Sequence, residues 1–398
     1  MYKPVNKPRI AVLSPFVDKR HGTERCLAEQ IKRLADDYEI HLYSSRVEDV
    51  DLGKIIWHRV PIPHGPHLFR YVWWLLANRF YRWRDSRFKG LAPVVVYSPG
   101  INCLDPDLVS VHVLFGNLRR QLKDDFSLQR NPFSRWPVIL HRRIYYRLAE
   151  FLERRVYGGK HAELLPVSQR IARDIASCYG RSDRVRTVYC GVDTFTFSRE
   201  RRRTLRASAR YALALSEDVF AVLLIGNDWK NKGLPCLLEA AGRLLNLKLQ
   251  LLVVGSDSTA PYKEQIARLG LAGRVTFLVP RPDVEFYYAA ADAYAGPSLE
   301  DSFSLPCIEA MSCCLPVITS QYAGVCEIMR HGEDGLILQD PTDSRTLAEW
   351  LERLSQDREW RHRMGENASR MAGEYTWGRN AKHLAEALDS IIRQRGAE

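Results

Sequence analysis

Short apolar runs alternate with helical patterns along the whole chain, and this alternation limits the fold more than any other feature. Runs such as Ile40–Ser44, Val94–Ser98, Val219–Ile225 and Leu249–Val254 are brief and rich in leucine and β-branched residues. Strands covered by helices on both faces read this way, so the pattern predicts parallel sheets in an α/β protein. Further strands are expected at Arg9–Ser14, Ile56–Val60, Val109–His112, Leu164–Val167 and Val185–Tyr189. The second half adds Val275–Val279, Ala293–Gly296, Pro316–Thr319 and Leu336–Leu338. A length of 398 residues accommodates two such domains, each with its own core. Between them, Thr194–Ser216 begins polar and arginine-rich (Arg199, Arg201, Arg202, Arg203) and reads as a linker. The expected division is therefore 1–193, a linker at 194–216, and 217–377, with 378–398 crossing back as a helix onto the first domain.

The nine cysteines are scattered, with no C-x-x-C spacing, which points to a reducing cytoplasm without a disulfide framework or a zinc site. The apolar run after Lys3 and Lys7 is too short for a signal peptide and reads as a first strand. No stretch approaches the roughly 20 apolar residues that cross a bilayer. Charge is unevenly placed: residues 1–200 hold 34 Lys and Arg against 21 Asp and Glu, a net +13. Residues 201–398 hold 24 against 26, a net −2. Such asymmetry implies an acidic partner for the first half.

The richest single segment runs from Pro297 to Ser312. Here a buried strand is followed by a short acidic turn and then by helical periodicity from Leu305. The amides of Ser302, Phe303 and Ser304 would then project from a helix N-terminus, where an anion such as a diphosphate is stabilised. A carboxylate one turn further, Glu309, suits a diol such as a ribose. With Asp301, Phe303, Leu305, Pro306, Glu309 and Ala310, the segment resembles the E-x7-E signature of the retaining glycosyltransferases of family 4. These are nucleotide-sugar enzymes with two facing Rossmann-like domains, the GT-B architecture. Two positions depart from the family pattern: Asp301 stands for a Glu, and Ser304 for a Gly.

Other segments fit the same family in order. His21-Gly22-Thr23-Glu24 resembles its Gly-Gly-x-Glu loop, which implies that Gly22 and Thr23 approach the donor phosphates, although a plain tight turn explains them equally. Gly191-Val192-Asp193 resembles a motif at the hinge, with a structural role. In the segment from Gly226 to Leu234, the resemblance assigns Lys232 to the donor diphosphate, whereas Asn227 occupies the place of an Arg. Tyr322 to Gly335 resembles the segment that closes the second sheet, and Arg281, at the end of a strand, is implied to line the base pocket. The family often carries a strand-end His facing the transferred sugar. His112 matches it, with a purely structural histidine as the open alternative, and Asn102 is a further acceptor-side candidate.

The resemblance thus implies catalytic roles for Asp301, Lys232 and His112. It implies a donor site of Gly22, Thr23, Asn227, Lys232, Arg281, Ser302, Phe303, Ser304, Leu305 and Glu309. Neither a cofactor nor a metal is expected, because the loose D-x-D matches at Asp49–Asp51 and Asp105–Asp107 do not follow strands as a metal-bound diphosphate would require. Aromatic and basic residues crowd 69–84 and 118–147, a mixture suited to an anionic membrane surface, with a core-plus-solvated-face reading as the alternative. No nucleic-acid reader motif accompanies the charge. The expected protein is a retaining glycosyltransferase acting on a lipid-linked or cell-envelope glycan, cytoplasmic and peripheral on the inner face of the membrane. A nucleotide-sugar epimerase and a non-catalytic nucleotide-sugar-binding protein are the rivals.

Overall fold

The computed structural model describes residues 7–19, 21–121, 134 and 136–396. The chain divides into two compact units, Met1–Tyr189 with Trp377–Glu398, and Cys190–Thr376.

The first unit contains strands β1 (Arg9–Leu13), β2 (Phe16–Val17), β3 (Glu39–Ser44), β4 (Arg46–Val47), β5 (Ile56–Arg59), β6 (Val95–Pro99), β7 (Leu108–Val111) and β8 (Glu163–Pro166). Six of them form one parallel sheet in the order β5-β3-β1-β6-β7-β8. Helices α1 (Gly22–Leu34), α2 (His67–Lys89), α3 (Phe115–Gln121), α4 (Trp136–Tyr157) and α5 (Gln169–Tyr179) belong to the same unit. The C-terminal helix Trp377–Gly396 returns to it. Its Leu384, Leu388 and Ile391 enter the core beside Ile31 and Leu34, and Tyr38 donates to Asp389 Oδ1 at 2.6 Å.

The segment Val185–Tyr189 does not extend the sheet as a strand. It runs beside β8, and a single bridge joins Val185 to Leu164, with Val188 N donating to Pro166 O at 2.9 Å.

Helix α2 buries Trp74 and Leu75 in the core and also exposes a second apolar stripe. Phe69, Trp73, Leu76, Phe80 and Trp83 recur every three or four residues and are exposed, whereas Asn78, Arg82 and Asp85 are buried. Arg82 pairs with Asp105 at 2.6 Å, and Asp85 gathers His58 (2.7 Å), Arg84 (2.8 Å) and Lys89 (3.1 Å).

The second unit repeats the plan. Strands β9 (Phe220–Ile225), β10 (Leu249–Val254), β11 (Val275–Leu278), β12 (Ala293–Gly296), β13 (Val317–Ser320) and β14 (Leu336–Leu338) form a parallel sheet in the order β11-β10-β9-β12-β13-β14. Its helices are α6 (Arg199–Ala212), α7 (Leu234–Gly242), α8 (Lys263–Arg268), α9 (Glu285–Ala290), α10 (Leu305–Ser312), α11 (Ser344–Gln356) and α12 (Arg358–Gly373). In both sheets the strand order reverses about the first strand, the doubly wound pattern in which ligands bind at the carboxyl ends of the strands flanking the reversal. In the second unit those strands are β9 and β12.

Residues 194–216, expected as a linker, instead hold α6, which packs on α9 within the second unit. The arginines are the reason. Arg202, Arg206 and Arg210 recur every four residues and reach the carbonyls that end α9: Arg202 and Arg206 to Ala291 O at 2.8 and 3.1 Å, and Arg210 to Ala290 O at 3.0 Å. Asp292 accepts from Arg206 (2.7 Å), Arg210 (3.2 Å) and the Ala221 amide (2.9 Å), which ties α6 to β9. Three guanidinium groups thus occupy the negative end of a helix.

Candidate donor site at the second unit's strand crossover

Two turns leave the strands at the reversal point, residues 226–233 after β9 and 297–304 after β12, and they are joined to each other. Leu299 N donates to Asn231 O at 2.7 Å, and Asn231 Nδ2 donates to Glu300 O at 2.7 Å. Gly233 (φ +83°) lies so close that a Cβ would stand 2.2 Å from Pro297 O, so any side chain would force the turns apart. Lys232 crosses the same gap to form an ion pair with Asp301 Oδ2. Its stem lies over Gly226, where a Cβ would meet Lys232 Cε at 3.1 Å. Burial works against the ammonium charge, and the Asp301 carboxylate more than offsets it, holding the Lys232 pKa above its ordinary value.

The acidic turn has a third anchor in the loop after β13. Asp301 N donates to Tyr322 O (3.0 Å), Gly324 N to Asp301 O (3.0 Å) and Val325 N to Phe303 O (2.8 Å). Phe303 N lies 3.4 Å from Asp301 Oδ1. The amides of Ser302 and Ser304 form no hydrogen bond among the described residues. Ser304 occupies the left-handed region (φ 72°, ψ 78°) at the N-cap of α10, which explains why a Gly suits this position. Its hydroxyl turns inward to Cys307 Sγ at 3.2 Å. Leu305 and Pro306 open the helix, with Pro in its preferred first turn.

Glu309 is buried on α10, and Tyr288 of α9 donates its hydroxyl to Glu309 Oε2 at 2.8 Å. Asn227 Oδ1 accepts from Ser256 N at 3.0 Å, so this residue fastens the first turn to the loop after β10. Trp229, buried beside it, donates its amide to Asp257 Oδ2 at 2.6 Å. Arg281 is exposed beyond β11, bidentate to Asp283 (2.9 and 2.8 Å) and 4.1 Å above the Phe286 ring. The structure therefore brings Lys232, Asp301, Ser302, Phe303, Ser304, Leu305 and Glu309 onto adjoining turns and one helix, while Arg281 is engaged by its own neighbours. Tyr288, Asn231 and Asp257 were not singled out from the sequence, because a Tyr in an apolar run and a turn Asn or Asp carry no chemical signature.

The remaining candidates lie in the first unit. Gly22 and Thr23 begin α1, next to His21, whose ring lies 3.2 Å from Asp18 Oδ1. Asn102 is committed to its own loop: Nδ2 donates to Pro99 O at 2.5 Å, and its carbonyl accepts from Trp74 Nε1 at 2.8 Å. His112 follows β7 and is buried, with no hydrogen-bond partner for Nε2 among the described residues. Burial lowers its pKa to about 4, so the ring is neutral at ordinary pH.

Residues 206–371 match the family model described as glycosyl transferases group 1. The matched residues lie within the second unit. A D-inositol 3-phosphate glycosyltransferase from Thermobifida fusca (strain YX) is 32% identical over 238 residues, covering 56% of this chain and 54% of that protein. One from Nocardia farcinica (strain IFM 10152) is 31% identical over 237 residues, covering 56% and 51%. The matched stretch thus spans about half the length of these curated relatives. Among solved structures, WaaG, a glycosyltransferase involved in lipopolysaccharide biosynthesis, is similar with a TM-score of 0.75 and 19% identity, over 95% of this chain and 98% of that one. HepE from Anabaena, in complex with UDP and glucose, gives a TM-score of 0.70 and 20% identity, over 96% and 100%. These likenesses show the fold, which is GT-B.

Proposed function

We propose that this protein is a retaining glycosyltransferase that moves a sugar from a nucleotide-sugar to a lipid-linked or cell-envelope glycan. The observation that carries the reading is the joining of Lys232, Asp301 and the start of α10 at the strand reversal. In this reading the Lys232 ammonium and the Ser302 and Ser304 amides hold the diphosphate. They stabilise it most as the glycosidic bond breaks and the leaving group gains charge. Asp301 meets the sugar hydroxyls, Glu309 the ribose, and the exposed strand end at Val279 and Arg281 the base. Lysine and amides do the work that a metal would otherwise do, so no metal is required. The HepE complex makes UDP-glucose the natural first donor to try, and the inositol-phosphate relatives support a hydroxyl acceptor beside an anionic group.

The acceptor reading draws on the first unit. The exposed stripe of α2, with Phe88 and with Ile144 and Phe151 of α4, combines apolar area with exposed Arg79, Arg142 and Arg147. Such a surface suits an anionic leaflet that would present a lipid-linked acceptor. Part of the basic segment 118–147 lies outside the described residues. No helix among the described residues is long and apolar enough to cross a membrane.

The test is incubation with UDP-glucose and a cell-envelope lipid extract, followed by nucleotide release and the anomeric configuration of the product. Transfer with retention supports the proposal. Donor turnover without any acceptor would favour the epimerase reading instead.

A further inference from the structure

We infer that Tyr288 is a positioning residue for the ribose-binding carboxylate, holding Glu309 in one orientation from inside the domain. The inference rests on the donor-site reading above and adds a residue to it.

Tyr288 is fully buried on α9, and its hydroxyl proton has two acceptors within reach. Glu309 Oε2 lies at 2.8 Å and Pro306 O at 3.3 Å, so the shorter, charge-assisted contact takes the larger share. Burial, with the Glu309 charge beside it, pushes the phenol well above its ordinary pKa, so the group keeps its proton. A glutamate's terminal torsion is broad and nearly two-fold, and the Tyr288 contact narrows it. Fixing one oxygen sets the plane in which a cis-diol must be met, and orientation fixed beforehand need not be supplied on binding.

Tyr288 is itself held. Phe197 packs edge-to-face on its ring, with centroids 5.6 Å apart and planes at 89°. The last turn of α9 is gripped by Arg202, Arg206 and Arg210 of α6. Helix α6 thus supports the Glu309 carboxylate through one tyrosine.

The experiment compares wild type, Tyr288→Phe and Glu309→Ala in calorimetric titration. The probes are UDP, its 2′,3′-dideoxy analogue and inorganic pyrophosphate, with GDP and ADP pairs replacing UDP if it does not bind. Wild type is expected to prefer the ribonucleotide by about tenfold or more, the share of one charge-assisted diol contact. Tyr288→Phe is expected to lose most of that preference while binding pyrophosphate as wild type does. A Tyr288→Phe protein that keeps the full preference while Glu309→Ala loses it would overturn the inference alone. Loss of pyrophosphate binding in Tyr288→Phe would also overturn it, because that outcome marks a general structural role. A wild type with no preference for the ribonucleotide would instead remove the assignment of Glu309 to ribose, and Tyr288's role with it.

Discussion

Lys232 forms an ion pair with Asp301 across the two turns that flank the strand reversal of the second unit. The lysine assigned to the diphosphate is therefore already facing an anion. Asn227 stands where an Arg is expected and fastens a neighbouring loop, which leaves exposed Lys230 as the other cation of that turn. A Glu in place of Asp301 would carry its carboxylate about one methylene further.

Removing that internal anion should have opposite effects on binding and on transfer. Asp301→Asn is expected to tighten nucleoside diphosphate binding by about threefold to tenfold, roughly 1 kcal/mol, because Lys232 no longer divides its charge. Sugar transfer should fall by at least about tenfold, since the hydroxyl contact is lost. Calorimetry beside a transfer assay checks both, and weaker diphosphate binding would contradict the pairing argument.

The arginine ladder gives a stability prediction. Arg210 is buried, and its partner Asp292 is nearly so. Arg210→Ala removes one of the three donors to Asp292 and the guanidinium donor to Ala290 O, Ser216 O and Val219 O, and should destabilise the protein by about 3 kcal/mol. Arg203, on the same helix, is exposed, and its alanine variant should cost under about 0.5 kcal/mol. Denaturant unfolding of both distinguishes a structural α6 from a linker.

His112 predicts one part of the acid sensitivity. Its pKa is lowered to about 4 by burial, against an ordinary value near 6.5. Above pH 6.5 the ring is neutral folded or unfolded, and it contributes no pH dependence. As pH falls from 6.5 to 4 only the unfolded chain takes up the proton, so stability declines, by at most a few kcal/mol, and levels off below 4. A His112→Asn variant should lack this part of the decline between pH 7 and pH 4.5, and an unchanged slope would contradict it.

Much of the fold was legible because buried parallel strands leave short apolar runs, and each turn that carries the candidate site follows one of them. The α6 segment misled for a physical reason. Its polar, arginine-rich start reads as a linker, yet the spacing of four places Arg202, Arg206 and Arg210 on a helix face that reaches helix-end carbonyls. Arg82 in α2 misled in the same way, being buried against Asp105 while Trp83 beside it is exposed. Tyr288 could not be seen at all, because its partner lies 21 residues away and only the fold brings them together.

The exposed stripe of α2 makes a further prediction. Binding to vesicles of phosphatidylglycerol and phosphatidylcholine should be salt-sensitive, and it should weaken at least about tenfold in a Phe80→Ser, Trp83→Ser double variant. Arg79→Ala should reduce mainly the salt-sensitive part. Equal vesicle binding by all three proteins would remove the membrane reading.

The central claim is a donor-diphosphate site built on Lys232. Its most direct test is calorimetric titration of wild type and Lys232→Ala with UDP, GDP and ADP. Wild type is expected to bind one of them, and Lys232→Ala to weaken that binding by about tenfold or more. Binding that survives unchanged in Lys232→Ala, or no binding of any nucleotide by wild type, would contradict it.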